Sequence, residues 1–140
     1  MPETTTYRPL HRENITITES GGVTKHLAVT AAGDYPASEG GVIAGILEHD
    51  ADENDICQII THGSALWVTG ENVTAGARLL AGADGKAYNA DAASVVLASG
   101  SDSPDLTGSH TFSGGYLPQY IVGIALTSAD SGERVRVLLK

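Results

Sequence analysis

The chain has 140 residues, of which 41% are hydrophobic and only 5% aromatic, which predicts one domain with an aliphatic core. Its net charge is −9 and its eight basic residues form no run, which excludes nucleic-acid binding because phosphate contacts need clustered Lys and Arg. No apolar run approaches the roughly 18 residues of a membrane span, and the first residues do not resemble a signal peptide, so we expect a protein made in the cytoplasm with no membrane partner.

Residues 1 to about 13 are predicted to form an extended N-terminal arm. Three consecutive threonines at residues 4–6, with Pro2 and Pro9, favour extended backbone over helix. The segment is poor in apolar residues but contains a tyrosine and a leucine beside arginines and a histidine, a mixture that indicates a segment ordering against another surface. The candidate binding residues are therefore Tyr7, Arg8, Leu10, His11 and Arg12.

Residues 14–140 are predicted to form a single β domain. Strand signals begin at Asn14, because Ile15 and Ile17 alternate with threonines in the period of a half-buried strand. Residues 42–47 and 56–61 are short apolar runs typical of core strands. His62 and Gly63 are interpreted as a turn that leads into a further strand at residues 65–69.

The second half of the chain adds a hairpin, an insertion and two terminal strands. Ala-Asp-Gly at residues 83–85 predicts a hairpin turn. Residues 98–120 are rich in Ser and Gly and predict a surface insertion. A core strand follows at 121–126, and residues 133–139 alternate between an apolar face and one bearing Arg134 and Arg136. About nine short strands, at spacings of roughly 8–12 residues, predict an all-β fold, a small barrel or sandwich.

The sequence predicts no catalytic residues, no metal site and no cofactor. The acidic residues 49–55 lack the central Gly and distal Glu of an EF-hand and are interpreted as a solvated loop. The five histidines show no zinc-ligand spacing, and no serine stands in a nucleophile elbow. Cys57, the only cysteine, is expected to be a core thiol, and Trp67 a core or subunit-interface residue rather than part of a ligand groove.

Several segments, taken in order, resemble the capsid decoration (cement) proteins of tailed phages. They are Gly-Val-Ile-Ala-Gly-Ile-Leu at 41–47, Val-Thr-Ala-Gly-Ala-Arg-Leu-Leu at 73–80, Ala-Asp-Gly-Lys-Ala at 83–87, Val-Gly-Ile-Ala-Leu at 122–126 and Gly-Glu-Arg-Val-Arg-Val-Leu-Leu at 132–139. The resemblance covers roughly residues 21–97 and 121–140. It excludes the insertion, to which no family role transfers.

The resemblance implies a non-enzymatic structural protein of the virion that binds the outside of the phage capsid and stabilises the shell. The implied partners are the major capsid protein and further copies of the chain in a homotrimer, with the N-terminal arm touching the shell. Two alternatives stay open. A receptor- or glycan-binding β module of a tail or spike would show an exposed aromatic patch, and a small hydrolase would show a pocket with convergent His and carboxylate side chains.

Overall fold

A computed structural model describes residues 7–90 and 120–139, which contain strands and turns but no helix. No segment of this described part is a helix long and apolar enough to cross a membrane. The all-β prediction is confirmed. The strands are β1 Pro9–Thr16, β2 Ala28–Val29, β3 Gly45–Leu47, β4 Ile56–Val68, β5 Arg78–Ala81, β6 Ala87–Asn89, β7 Gly123–Ala125 and β8 Arg134–Leu139.

The eight strands form one curled antiparallel sheet, a half-barrel, in the order β2-β3-β4-β8-β7-β5-β6. Strand β1 lies off this path and pairs with β4. Ile59 and Ile60 pair with both β1 and β3, and Gly63 pairs with both β1 and β8. Because a strand has two edges, β1 must occupy one edge of β4 while β3 and then β8 occupy the other.

Strand β4 runs unbroken through the turn predicted at His62 and Gly63, so that prediction is wrong. The register between β1 and β4 shifts on either side of His11, which faces His62. Such a bulge bends β4 locally. On its other edge β4 pairs with β3 before this point and with β8 after it. Gly63 has φ +94°, and a Cβ there would lie 2.5 Å from Arg8 O. The glycine therefore serves a close strand approach instead of a chain reversal.

The first strand begins at Pro9, five residues before the predicted start at Asn14. Seven of its eight residues pair within the stretch Ile56–Gly63 of β4, and Leu10 is the exception. Residues 9–13 show no alternation of apolar and polar residues that would mark them as a strand, because most of their side chains are exposed on both faces. The predicted arm, residues 1–13, thus overlaps β1 from Pro9 onward. Residues 1–6 and nearly all of the predicted insertion at 98–120 lie outside the described residues.

The apolar core lies on both faces of β2, β3 and the first half of β4. Ile46 and Ile60 belong to one cluster, whereas their chain neighbours Leu47 and Ile59 belong to the other. Burial on both faces explains why β2, β3 and the pair Ile59-Ile60 of β4 are apolar at successive positions. The larger cluster extends along β4 to Trp67, which is fully buried.

The hairpin and the last strand agree with prediction. Strands β5 and β6 pair antiparallel, and the intervening turn places Gly85 at φ +76°. In β8, Val135, Val137 and Leu139 are buried, while the arginines between them face the other side.

Candidate functional site

Two of the five candidate binding residues contact an internal carboxylate. The guanidinium of Arg12 donates from Nε to Glu48 Oε2 at 2.8 Å and from Nη2 to Glu48 Oε1 at 3.2 Å. The Tyr7 hydroxyl donates to Glu48 Oε1 at 3.4 Å, and its ring packs against the larger core cluster. Tyr7 and Arg12 therefore tie the N-terminal segment to the domain's own body.

Glu48 follows β3 directly, and its side chain is only 8% exposed, so its carboxylate needs a partner. The paired hydrogen bonds from Arg12 satisfy both oxygens with the geometry that favours Arg over Lys. The hydrogen bond and the charge of Glu48 raise the pKa of Arg12, and burial followed by the charge of Glu48 raises the pKa of Tyr7. No local sequence pattern marks Glu48, because its partner lies 36 residues away along the chain.

Arg8 and Leu10 remain available to a partner. The Arg8 backbone exchanges two hydrogen bonds with Ser64: its N–H donates to Ser64 Oγ at 2.6 Å, and its carbonyl accepts from the Ser64 N–H at 2.9 Å. The Arg8 side chain is exposed, and Leu10 is 80% exposed. These two side chains thus lie at the surface, on backbone held by β4.

His11 lies in a small polar cluster on β1 and β4. Its ring meets that of His62 edge-on, with centroids 6.0 Å apart, and both Nδ1 atoms contact Thr61 Oγ1, at 2.8 and 3.2 Å. Glu13 Oε1 lies 3.4 Å from His11 Nε2. Among residues 7–90 and 120–139, no three metal-ligating side chains are grouped to hold an ion.

The acidic loop at 49–55 uses carboxylates in its own hydrogen bonds. Asp50 Oδ1 accepts from the Lys25 N–H at 2.8 Å, and Asp55 Oδ2 accepts from the Asp52 N–H at 3.1 Å. Asn54 takes φ +73°, a left-handed conformation that asparagine adopts readily in turns. These contacts fit the predicted connecting loop.

Cys57 and Trp67 are core residues, as predicted. Cys57 is buried, and burial raises the pKa of its thiol, which favours the unreactive protonated form. Trp67 is fully buried, and its Nε1–H donates to Gly85 O at 2.8 Å. A hollow beside β3 has a volume of about 20 Å³, which is room for one water. It is lined by Ile43, Ala44, Gly45, Thr61, Tyr120, Val122 and Leu139. No histidine or carboxylate lines it.

A second group of polar side chains lies on the outer side of the β4-β8-β7-β5 part of the sheet. Antiparallel partners share a face and alternate residues return to it. The pairings Ser64↔Leu138, Leu138↔Ile124 and Ile124↔Arg78 define one row across the four strands. Arg136 and Arg134 follow at alternate positions of β8. We call this surface the arginine face: Ser64, Arg78, Ile124, Leu126, Arg134, Arg136 and Leu138.

Comparison with known proteins finds a protein of similar structure but no matching sequence family. No family model matches the chain, and no curated protein matches it. The N base of head fiber gp8.5 in bacteriophage phi29 superimposes with a TM-score of 0.60 over 93% of this chain and 95% of that one. The two proteins share the fold. Their sequences are 18% identical, so the likeness concerns architecture and transfers no residue role.

Proposed function

We propose that the chain is a structural protein of a phage head, a decoration protein that binds the outer surface of the capsid and stabilises the shell. The observation that carries the proposal is the likeness to a head-fiber base, which spans nearly the whole length of both chains. The segments that resemble decoration proteins give independent support. A fold alone does not define a function, so the two arguments are needed together.

The proposed activity is binding, without catalysis or a cofactor. The chemistry of the candidate groups supports this. The thiol of Cys57 is buried with a raised pKa, and Arg12 satisfies both oxygens of the buried Glu48. Asp50 and Asp55 accept backbone N–H groups that shape the loop around them. Each of these groups is engaged in holding the fold.

The proposed partners are the major capsid protein and further copies of the chain in a homotrimer. A modest aliphatic core gives a physical reason for association, since burying apolar surface between subunits adds stability. Light scattering at micromolar concentration should give about three times the 14.4 kDa chain mass. A mass equal to one chain would contradict the trimer.

The proposal is tested by rebinding to particles assembled without the protein. The gene is deleted from the genome that encodes it, the particles are purified, and the protein is added back and sedimented with them. We expect saturable binding with a fixed number of copies per particle. If the protein stays in the supernatant and instead binds the surface of host cells, the receptor-binding alternative replaces the decoration role.

A further inference from the structure

The arginine face gathers unpaired positive charge in an acidic protein. The chain has 17 acidic and eight basic residues. Yet the guanidinium groups of Arg78, Arg134 and Arg136 form no ion pair or hydrogen bond with any described residue. The Nε of Arg136 is moreover shielded from solvent without an acceptor. A buried donor without a partner costs free energy, so an incoming acceptor would be favoured there.

Among the described strand residues on this side of the sheet, none is acidic. The positions of β5, β7, β8 and the second half of β4 on this side carry only Arg, Leu, Ile, Val and Ser, as the strand pairings show. Two of them, Leu66 and Leu80, are buried. Arg8 extends the row, because its backbone pairs with Ser64 at the outer edge of β4. From Arg8 to Arg78 the row crosses four strand spacings, or about 19 Å. This length suits a protein surface better than a small ligand.

Apolar side chains lie between the arginines. Leu138 is 40% exposed and Leu126 is 38% exposed, and Ile124 is half-buried between them. Leu10, at 80%, lies on the N-terminal strand two residues beyond Arg8. Arginines surrounding exposed aliphatic residues have the composition of protein interfaces, in which Arg is enriched and Lys is depleted.

We propose that the arginine face, extended by Arg8, is the surface with which the chain docks onto a carboxylate-rich patch of the capsid shell. The inference rests on the proposed function and names the contact surface for it. Charge complementarity selects the partner: within residues 7–90 and 120–139 no carboxylate pairs with the guanidinium groups of Arg78, Arg134 and Arg136, and Arg pairs bidentately with Asp and Glu. The docking contact therefore lies mainly on the sheet, and the N-terminal segment contributes only at Arg8 and Leu10.

The test compares two double variants in the rebinding assay with particles assembled without the protein. Arg78→Gln with Arg134→Gln removes two charges from the face, whereas Lys25→Gln with Lys86→Gln removes two charges outside it. Each pair changes the net charge from −9 to −11, that is −9 − 2, so general electrostatics are matched. Urea unfolding of both variants checks that each remains folded.

We expect the arginine variant to bind about 10-fold or more weakly, since two charge-assisted hydrogen bonds are lost, and the lysine control to bind as the parent does. Replacing the same arginines by lysine should restore part of the affinity. Equal binding by all variants, with normal binding by the parent, would overturn the inference and leave the proposed function standing. Absence of binding by the parent would overturn both. If the arginine variant changes only the oligomer mass, the face contacts a second copy and the inference is wrong.

Discussion

The substitution Gly63→Ala tests whether the N-terminal strand is docked on β4. A Cβ at Gly63 would lie 2.5 Å from both Arg8 O and Leu10 N, and ordinary contact begins at 3.4 Å. The strand would have to move by about 0.9 Å, the difference of those distances. Gly76 is the matched control, because it has φ +92°, close to the +94° of Gly63, but nothing within 4 Å of its Cβ position.

The two substitutions separate backbone strain from collision. An alanine at positive φ costs about 1–2 kcal/mol, and this cost applies to both positions. At Gly63 the collision with two backbone atoms adds about 1–3 kcal/mol, by analogy with overpacking in protein cores. We therefore expect Gly76→Ala to lower the free energy of unfolding by about 1–2 kcal/mol and Gly63→Ala by about 2–5 kcal/mol.

Urea unfolding followed by circular dichroism measures both free energies, provided that the slopes of the transitions agree. A third variant lacking residues 2–12 removes the strand segment that the new methyl group would strike. In that background the additional cost at Gly63 should disappear, leaving only the strain seen at Gly76. If Gly63→Ala and Gly76→Ala are equally destabilising in the full-length chain, the N-terminal segment is not packed against Gly63 and the account of β1 is wrong.

Three further predictions concern side chains that the fold engages. Glu48→Gln and Arg12→Gln should each lower the urea midpoint of unfolding. The double variant should lose less stability than the two single losses added together, because both single variants break the same contact. Additive losses would contradict that coupling. The hydrogen bond to Asp84 and partial burial raise the pKa of Tyr88 to about 12, so spectrophotometric titration should show a tyrosine that ionises near pH 12 and moves toward 10 in Asp84→Asn. Because the folded state holds that proton longer than the unfolded state, this contribution to stability is present below pH 10 and is lost as the pH rises toward about 12. Cys57 should react slowly with a thiol reagent at pH 8 and rapidly in urea, and equal rates would contradict its burial.

Local patterns in the sequence predicted the elements whose causes are local. The β5–β6 hairpin follows from Asp84-Gly85, since glycine accepts the positive φ of the turn. Strand β8 follows from its alternation, because one face is buried and the other is not. The all-β class follows from the repetition of such signals along the chain.

Features that depend on distant parts of the chain were not predictable in the same way. His62 and Gly63 have the composition of a turn, and only the presence of β1 and β8 on opposite edges of β4 makes them part of a strand. Glu48 gains its partner because β1 and β3 flank β4, which no local pattern reports. The arginine alternation on β8 was visible, but its continuation to Arg78 required the pairing through β7.

The central claim, that the chain is a structural component on the outside of a phage head, is tested most directly by electron cryomicroscopy of virions from the genome that encodes it. We expect density for a curled β half-barrel outside the major capsid protein, with the arginine face toward the shell and the density absent from particles of the deletion strain. Density for this fold at the tail tip, or identical maps from the parent and deletion particles, would contradict it.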